Sequence, residues 1–467
     1  MSGFKHRVVM IDMARLLERW EHYQWLMPWL KEWGYNTIHL RIADDQGCRL
    51  GFASHPKLAD RQSLSAEQMR AFVELARRNG LGVLPEIECF GHAAYISKKP
   101  DYSHLGVDGA EDFNALDPEH PEVLSVLHDL LEDLAGILDY PVIHVGLDEV
   151  NLHVIPRFRD ADESVLEKVF ATHISRVHQA VRDVGRRPAM WGDHLLKTPG
   201  LAKKMKKDVL IFDWHYDADP DPRTMDFFCD KGFELWGAPS TMHWGCRVVS
   251  HSSQLQNIRK FSASGMTRRR KGVSGMVNTV WCPWRYLPGA MDYPTALGGH
   301  LFSEAAESED FAAEFSRGFY GLSTRDAAEC GRAIETLHAI APWHTLFDTI
   351  VFGKSDHAGM RFTREESRAG GALARQAEGV AGIFKRLLGK ARRNADRMED
   401  VYLSARILQR VGQFGEGKRH KSDLPGGEGL YQRCMRSWQR CRDSSWGKLA
   451  NKFRPAENVS YVLSRLT

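Results

Sequence analysis

Over its first three hundred positions the chain alternates two patterns of apolar residues. Short, nearly unbroken apolar runs occur at Arg7–Asp12, Asn36–Ile42, Leu81–Ile87 and Val142–Gly146, and again at Pro188–Trp191, Val209–Trp214, Phe233–Gly237 and Gly275–Trp281. Runs this short and this apolar predict strands covered on both faces, as in a parallel sheet. Between them lie stretches with helical spacing, such as Ser65–Asn79 and Pro121–Leu138, long enough to cross from one parallel strand to the next. Eight such units predict an α/β fold, a (β/α)8 TIM barrel over residues 1–310, in preference to an open doubly wound sheet. There is no GxGxxG or GxxxxGKS/T turn to argue for a nucleotide-binding sheet. From 311 to 467 the pattern is helical throughout; Leu403, Ile407, Val411 and Phe414, for example, fall on one helical face. This predicts an α-helical C-terminal region packed on the barrel.

Charge sharpens the division. The 467 residues carry 63 Lys and Arg against 60 Asp and Glu, a net charge of +3. Residues 361–467 hold 23 Lys and Arg against 11 Asp and Glu, a surplus of twelve, so the first 360 residues carry the balance of −9. Basic clusters at Arg268–Lys271 and Lys203–Lys207 raise the question of nucleic acid, but no recognition motif accompanies them. Docking of the basic region on the acidic barrel is the simpler expectation, with a homodimer contact as a second use of the charge. No run reaches the ~18 apolar residues of a membrane span, and the first residues lack the features of a signal peptide. The eight cysteines form no CxxC pair, which predicts reduced thiols and a cytoplasmic setting.

In a barrel of this kind catalytic groups follow the C-terminal ends of the strands. Those positions hold Arg15, Asp44-Asp45-Gln46, Glu86, Glu88, His92, Asp148-Glu149, Trp191, Asp193, Asp213-Trp214-His215-Tyr216, Trp236 and Trp281. Any one of them could be a helix cap or a core indole; their recurrence at one predicted face is the signal. The strongest is Val142-Ile-His-Val-Gly-Leu-Asp-Glu-Val150, an apolar strand running into adjacent carboxylates. Strand neighbours point to opposite faces, so Asp148 and Glu149 share a site only if the chain leaves strand geometry there. Glycosidase pairs that flank the scissile bond stand ~5–5.5 or ~6.5–9.5 Å apart. Adjacent carboxylates approach from one side, which favours a nucleophile supplied by the substrate.

HVGLDEV resembles the H-x-G-x-D-E motif of glycoside hydrolase family 20, the β-N-acetylhexosaminidases. VVMIDMAR (8–15), NTIHLRIADDQGCR (36–49), LGVLPEIECFGH (81–92), NALDPEHPEV (114–123) and AMWGDHLL (189–196) are similar to further family segments in the same order. The PEIECFGH form and the FDWHYDAD segment look closest to the hexosaminidase D-like branch. The resemblance implies an exo-β-N-acetylhexosaminidase acting on terminal N-acetylhexosamine (GlcNAc and/or GalNAc) of a glycan or glycoconjugate. It implies retention through an oxazolinium intermediate, with no metal and no cofactor. Glu149 would be the general acid and base, Asp148 the group that holds the 2-acetamido substituent, and Asp44 and His92 the rest of a relay to Glu149. Arg15 and Asp193 would meet the substrate, with Trp191, Trp214 and Trp281 walling the acetamido pocket and Tyr216 donating to its oxygen.

The chain departs from the family pattern at three places. Arg41 stands where the second-strand motif has a second histidine, Glu88 where many members have Asp, and Pro283 where many have Glu, with Arg285 and Tyr286 close by. These touch the selection of outer hydroxyls. Two other readings are kept: a non-catalytic sugar-binding barrel, and a divalent-metal enzyme using Glu86, Glu88, His92, Asp148, Asp193 and His194, which lack tight ligand spacing.

Overall fold

The structure is a computed structural model; it describes residues 3–107, 115–304, 307–342, 347–348, 364–415, 427–442 and 458–466. Eight parallel strands close into a barrel: β1 (His6–Asp12), β2 (Thr37–Asp44), β3 (Gly82–Ile87), β4 (Val142–His144), β5 (Arg187–Trp191), β6 (Leu210–Trp214), β7 (Glu234–Ala238) and β8 (Val273–Val280). Each pairs with its sequence neighbour, and β8 returns to β1 through His6–Gly275 to Val9–Asn278. All eight apolar runs are therefore barrel strands, within a few residues of their sequence bounds.

The crossover helices form for local reasons. Ala66–Arg78 starts at Ser65, whose hydroxyl accepts from the Gln68 N–H while the Gln68 side chain accepts from the Ser65 N–H. Pro121 opens Pro121–Ile137, where a missing N–H costs nothing. The packing divides in two. Outside, one continuous apolar layer joins strands to helices; inside, a smaller cluster that includes Val8, Leu84, Val142, Leu210, Trp236 and Val277 fills the barrel. Above that plug the register sets Asp12, Arg41, Glu86 and His144 level on four adjacent strands. An apolar plug beneath a charged layer is what places the site at one mouth.

The C-terminal region is helical in its described residues: Phe311–Tyr320, Thr324–Ile340, Arg364–Leu388, Ala395–Gly415, Gly427–Cys441 and Val459–Leu466. Leu403, Ile407, Val411 and Phe414 are buried, yet Ala395–Gly415 is not one-faced as its pattern suggests. Asp400, Ser404 and Arg410 on its other sides are buried too, because it is the central helix of the lobe. The lobe meets the barrel through buried ion pairs. Arg397 takes Asp292 in a fork (2.6 and 2.7 Å), and Arg442 holds Glu18 (3.0 Å) while donating to the Tyr286 carbonyl (2.9 Å). Arg247 in turn pairs with Asp348 (2.9 Å). No helix among the described residues is long and apolar enough to cross a membrane.

Candidate active site

β4 ends at His144, and the next residues abandon strand geometry. Gly146, Leu147 and Glu149 all have positive φ (65°, 74° and 53°). This left-handed path, costly for Leu and Glu, turns the Asp148 and Glu149 side chains to one place, as sharing a site required. Neighbouring groups hold it there. The Glu149 N–H donates to Asp193 (3.2 Å), the Val150 N–H to His194 Nε2 (3.0 Å), and the Trp191 N–H to the Gly146 carbonyl (3.1 Å). A Cβ on Gly146 would overlap the Glu88 carboxylate, and one on Gly91 would press on the Asp148 carbonyl.

His92, itself at positive φ (49°), faces both carboxylates: its Nε2 lies 3.4 Å from Glu149 and 3.8 Å from Asp148. Its Nδ1 bonds Asp45 at 2.8 Å, not Asp44. The relay read from the sequence is corrected accordingly to Asp45–His92–Glu149. Asp44 instead takes Arg15 (3.1 Å), accepts from the Gln46 N–H (2.7 Å) and lies 3.4 Å from Arg41. The cause is an irregularity in β2 between Arg41 and Ala43. It moves Asp44 to the side of the sheet that carries Arg41 and leaves Asp45 on the turn.

Electrostatics divides the carboxyls. Burial works to lower the His92 value, but Asp148, Asp45 and Glu149 outweigh it and hold the imidazolium well above its usual range. Burial pushes Asp148 up to about 7, against the pull of His92 and Arg41. Burial also acts to raise Glu149, yet the hydrogen bond and charge of His92 prevail and keep it low. These directions favour a charged His92 beside a Glu149 side chain that is 36% exposed.

The guanidiniums organise the opposite wall. Arg15 bridges Asp12 and Asp44 (3.1 Å each), and Arg41 spans Asp44, Glu86 (3.2 Å) and Glu88 (2.7 Å). Both lie 4.9 Å from the Trp281 ring. Trp281 donates its indole N–H to the Tyr216 hydroxyl (2.8 Å), and Trp214 packs on Tyr216 with centroids 5.1 Å apart. These three half-buried aromatics form a wall. Trp191 does not join it at the surface: it is 1% exposed and donates to Glu86 (3.0 Å) within the barrel, 5.9 Å below Trp281 by ring centroid. Asp193 supports the Glu149 turn and pairs with Lys197 (3.0 Å).

The six residues weighed as metal ligands are divided among other tasks. Arg41 holds Glu86 and Glu88, while Asp193 and His194 accept from the turn's N–H groups. Among the described residues three acid–imidazole clusters close enough to share an ion do occur, His39–Glu86–His144, His92–Asp148–Glu149 and the more exposed His104–His120–Glu122. In the first, each imidazole lies against a different Glu86 oxygen, with Arg41 already on that carboxylate. Sequence reasoning passed over Asp12 and the role of Asp45. Asp45 had been visible beside Asp44 as a strand-end acid, but only the β2 irregularity tells the two apart.

With the geometry in place, comparison with known proteins is informative. The family model "glycosyl hydrolase family 20, catalytic domain" matches residues 4–241. A β-hexosaminidase of Vibrio furnissii is 27% identical over 248 residues, covering 45% of this chain and 40% of that protein. Human hexosaminidase D is 24% identical over 264 residues, covering 51% and 52%. The chain thus spans about half, or less, of the length of these relatives. Among solved structures, a mutant β-hexosaminidase of Streptomyces plicatus in complex with product GlcNAc superposes with a TM-score of 0.56, at 18% identity and 70% coverage of each chain, which supports the barrel. By the family match over half its length, the chain belongs to glycosyl hydrolase family 20.

Proposed function

We propose that the protein is an exo-β-N-acetylhexosaminidase that removes terminal β-linked N-acetylhexosamine with retention, the substrate's own acetamido group acting as nucleophile. The observation that carries this reading is the left-handed turn that brings Asp148 and Glu149 to one site, with His92 bridging them. A sugar seated over Glu149 displaces water from it and raises its affinity for a proton, which passes from His92. Glu149 gives that proton to the glycosidic oxygen as the acetamido carbonyl oxygen bonds to the anomeric carbon and the alcohol departs. Asp148, as carboxylate, accepts the amide N–H and offsets the positive charge of the oxazolinium. Glu149 then takes a proton from water, whose oxygen opens the ring at the same carbon. Arg15 donates to the sugar hydroxyls, and Trp214, Tyr216 and Trp281 enclose the acetamido group. GlcNAc and GalNAc are both proposed as the terminal sugar, since Arg41 and Glu88 are taken up by each other (2.7 Å). Eight free cysteines fit a cytoplasmic setting for this activity.

The test is hydrolysis of p-nitrophenyl N-acetyl-β-glucosaminide and N-acetyl-β-galactosaminide by wild type, Glu149→Gln and Asp148→Asn. Turnover by wild type and a loss of about 10²-fold or more in each variant is expected. Folded wild type that cleaves neither would sink the proposal, and full rate in Asp148→Asn would remove the substrate-assisted step.

A further inference from the structure

Two loops carry groups that grip the sugar. One runs on from β1 and brings Arg15 to the mouth; the other runs on from β8 and brings Trp281. Across the gap between them the Arg15 guanidinium lies 4.9 Å from the Trp281 ring. The near end of each loop is fastened to the barrel. In the first, the Ala14 N–H donates to the Arg41 carbonyl (2.9 Å) and the Ala14 carbonyl accepts from Arg49 (3.2 Å). In the second, the Trp281 N–H donates to the Met242 carbonyl (2.8 Å), and Cys282 then turns the chain through a left-handed conformation (φ 57°).

The far ends of both loops meet the helical lobe at one side chain. Arg442 directly follows the helix Gly427–Cys441 and is buried. Its Nε donates to both carboxylate oxygens of Glu18 (3.0 and 3.1 Å), at the end of the first loop, and its Nη1 to the Tyr286 carbonyl (2.9 Å), at the end of the second. The Trp438 ring, with its centroid 4.1 Å from the guanidinium, fixes the plane of that fork. Beside it the Arg19 N–H donates to the Cys441 carbonyl (2.8 Å), so the main chain of the lobe grips the first loop as well. A planar guanidinium presents donors in several directions and can serve a carboxylate and a carbonyl together; an ammonium is a single point of charge. The groups that handle protons stand on other loops, Asp45 and His92 after β2 and β3, Asp148 and Glu149 after β4.

We propose that Arg442 is a positioning residue for the sugar site. By tying the Glu18 end of one loop to the Tyr286 end of the other, it sets the spacing of Arg15 and Trp281 and makes the helical lobe part of the binding site. This rests on the hydrolytic reading above and adds a residue to it that touches no substrate. The two loops hold the sugar in the ground state and the transition state alike, so loosening them acts on KM and leaves kcat near its wild-type value.

The experiment is steady-state hydrolysis of the p-nitrophenyl glycoside that wild type cleaves, with the inhibition constant of the matching free N-acetylhexosamine measured alongside. Wild type is compared with Arg442→Leu, Arg442→Lys, Glu18→Gln and Arg433→Leu, each checked for folding by circular dichroism. In Arg442→Leu, KM and the inhibition constant rise together by about ten-fold while kcat stays within about two-fold. Arg442→Lys, which keeps a charge opposite Glu18, recovers part of the loss. Should Arg442→Leu not fold, Glu18→Gln weakens the same tie from the barrel side and raises both constants about three-fold. Arg433→Leu breaks a pair with Glu399 (2.8 Å) inside the lobe and leaves KM at the wild-type value. An unchanged KM in folded Arg442→Leu, or in Glu18→Gln where that variant stands in for it, overturns the positioning role, as does an equal rise in Arg433→Leu; the hydrolytic reading then still stands. A wild type that cleaves neither p-nitrophenyl glycoside overturns that reading, and the positioning role with it.

Discussion

Asn at position 45 would leave His92 Nδ1 a neutral partner in place of a carboxylate, whereas Asn at 44 would loosen Arg15 and leave the His92–Asp45 bond in place. The two substitutions are thus expected to separate kinetically. Asp45→Asn lowers kcat by about 10- to 100-fold, the size of a lost supporting carboxylate, while Asp44→Asn acts mainly on KM. Steady-state kinetics with the p-nitrophenyl glycosides decides it, and the reverse pattern would restore the relay through Asp44. His92→Gln tests the charge. Without the imidazolium, Asp148, which burial already pushes up to about 7, rises further, so the acid limb of kcat/KM moves to higher pH. The stability sign follows separately. The folded His92 value lies above its unfolded 6.5, so its stabilisation is complete below that pH and is lost as pH rises through the folded value. Urea unfolding of the His92→Gln variant should therefore show its largest deficit at acid pH. Which acids and indoles cluster at strand ends was legible in the sequence. Which of two neighbours faces the imidazole was not, because that depends on a local slip in β2 that no alternation of side chains records.

At the scale of elements, the strands were legible because a covered parallel strand must be apolar along its whole length, and β1 to β8 all follow that rule. The β4 turn was legible only as a requirement. Adjacent carboxylates demanded a departure from strand geometry, and the chain meets the demand with positive φ at Gly146, Leu147 and Glu149. Gly146→Ala places a Cβ where the Glu88 carboxylate lies, at a φ that L residues avoid. A loss of about 1–3 kcal/mol is expected, read by urea unfolding, together with a fall in kcat as the turn shifts Glu149. Trp191, read as pocket wall, and Asp193, read as substrate ligand, take on further contacts that the sequence did not show. Both follow β5 at the correct end of the barrel, but the inward crowding of Trp191 under Trp281 and the capture of Asp193 by the Glu149 turn are tertiary contacts. Likewise the central helix Ala395–Gly415 shows one apolar face in sequence because its buried polar residues are satisfied by partners elsewhere, as Asp400 is by the Gly289 N–H (2.8 Å).

Over the whole molecule, the division of charge between an acidic barrel and a basic lobe has a structural counterpart in Arg397–Asp292 and Arg442–Glu18. The first pair is buried and the second nearly so, so breaking one leaves an uncompensated charge largely out of water. Burial already pushes Asp292 up to about 6 in spite of Arg397. Arg397→Leu is expected to cost about 3–5 kcal/mol, and Arg397→Leu with Asp292→Leu to recover much of it, as measured by chemical unfolding. Equal losses in the single and double variants would show that packing, not charge, carries the contact. The region matched by the family ends at residue 241, yet β8 begins at Val273, and it alone joins β7 to β1. A fragment cut at that boundary would be a seven-stranded open sheet with two bare parallel edges, each a row of unsatisfied amides and carbonyls ready to recruit another chain. Solubility of the excised barrel, rather than its chemistry, would be the first thing lost.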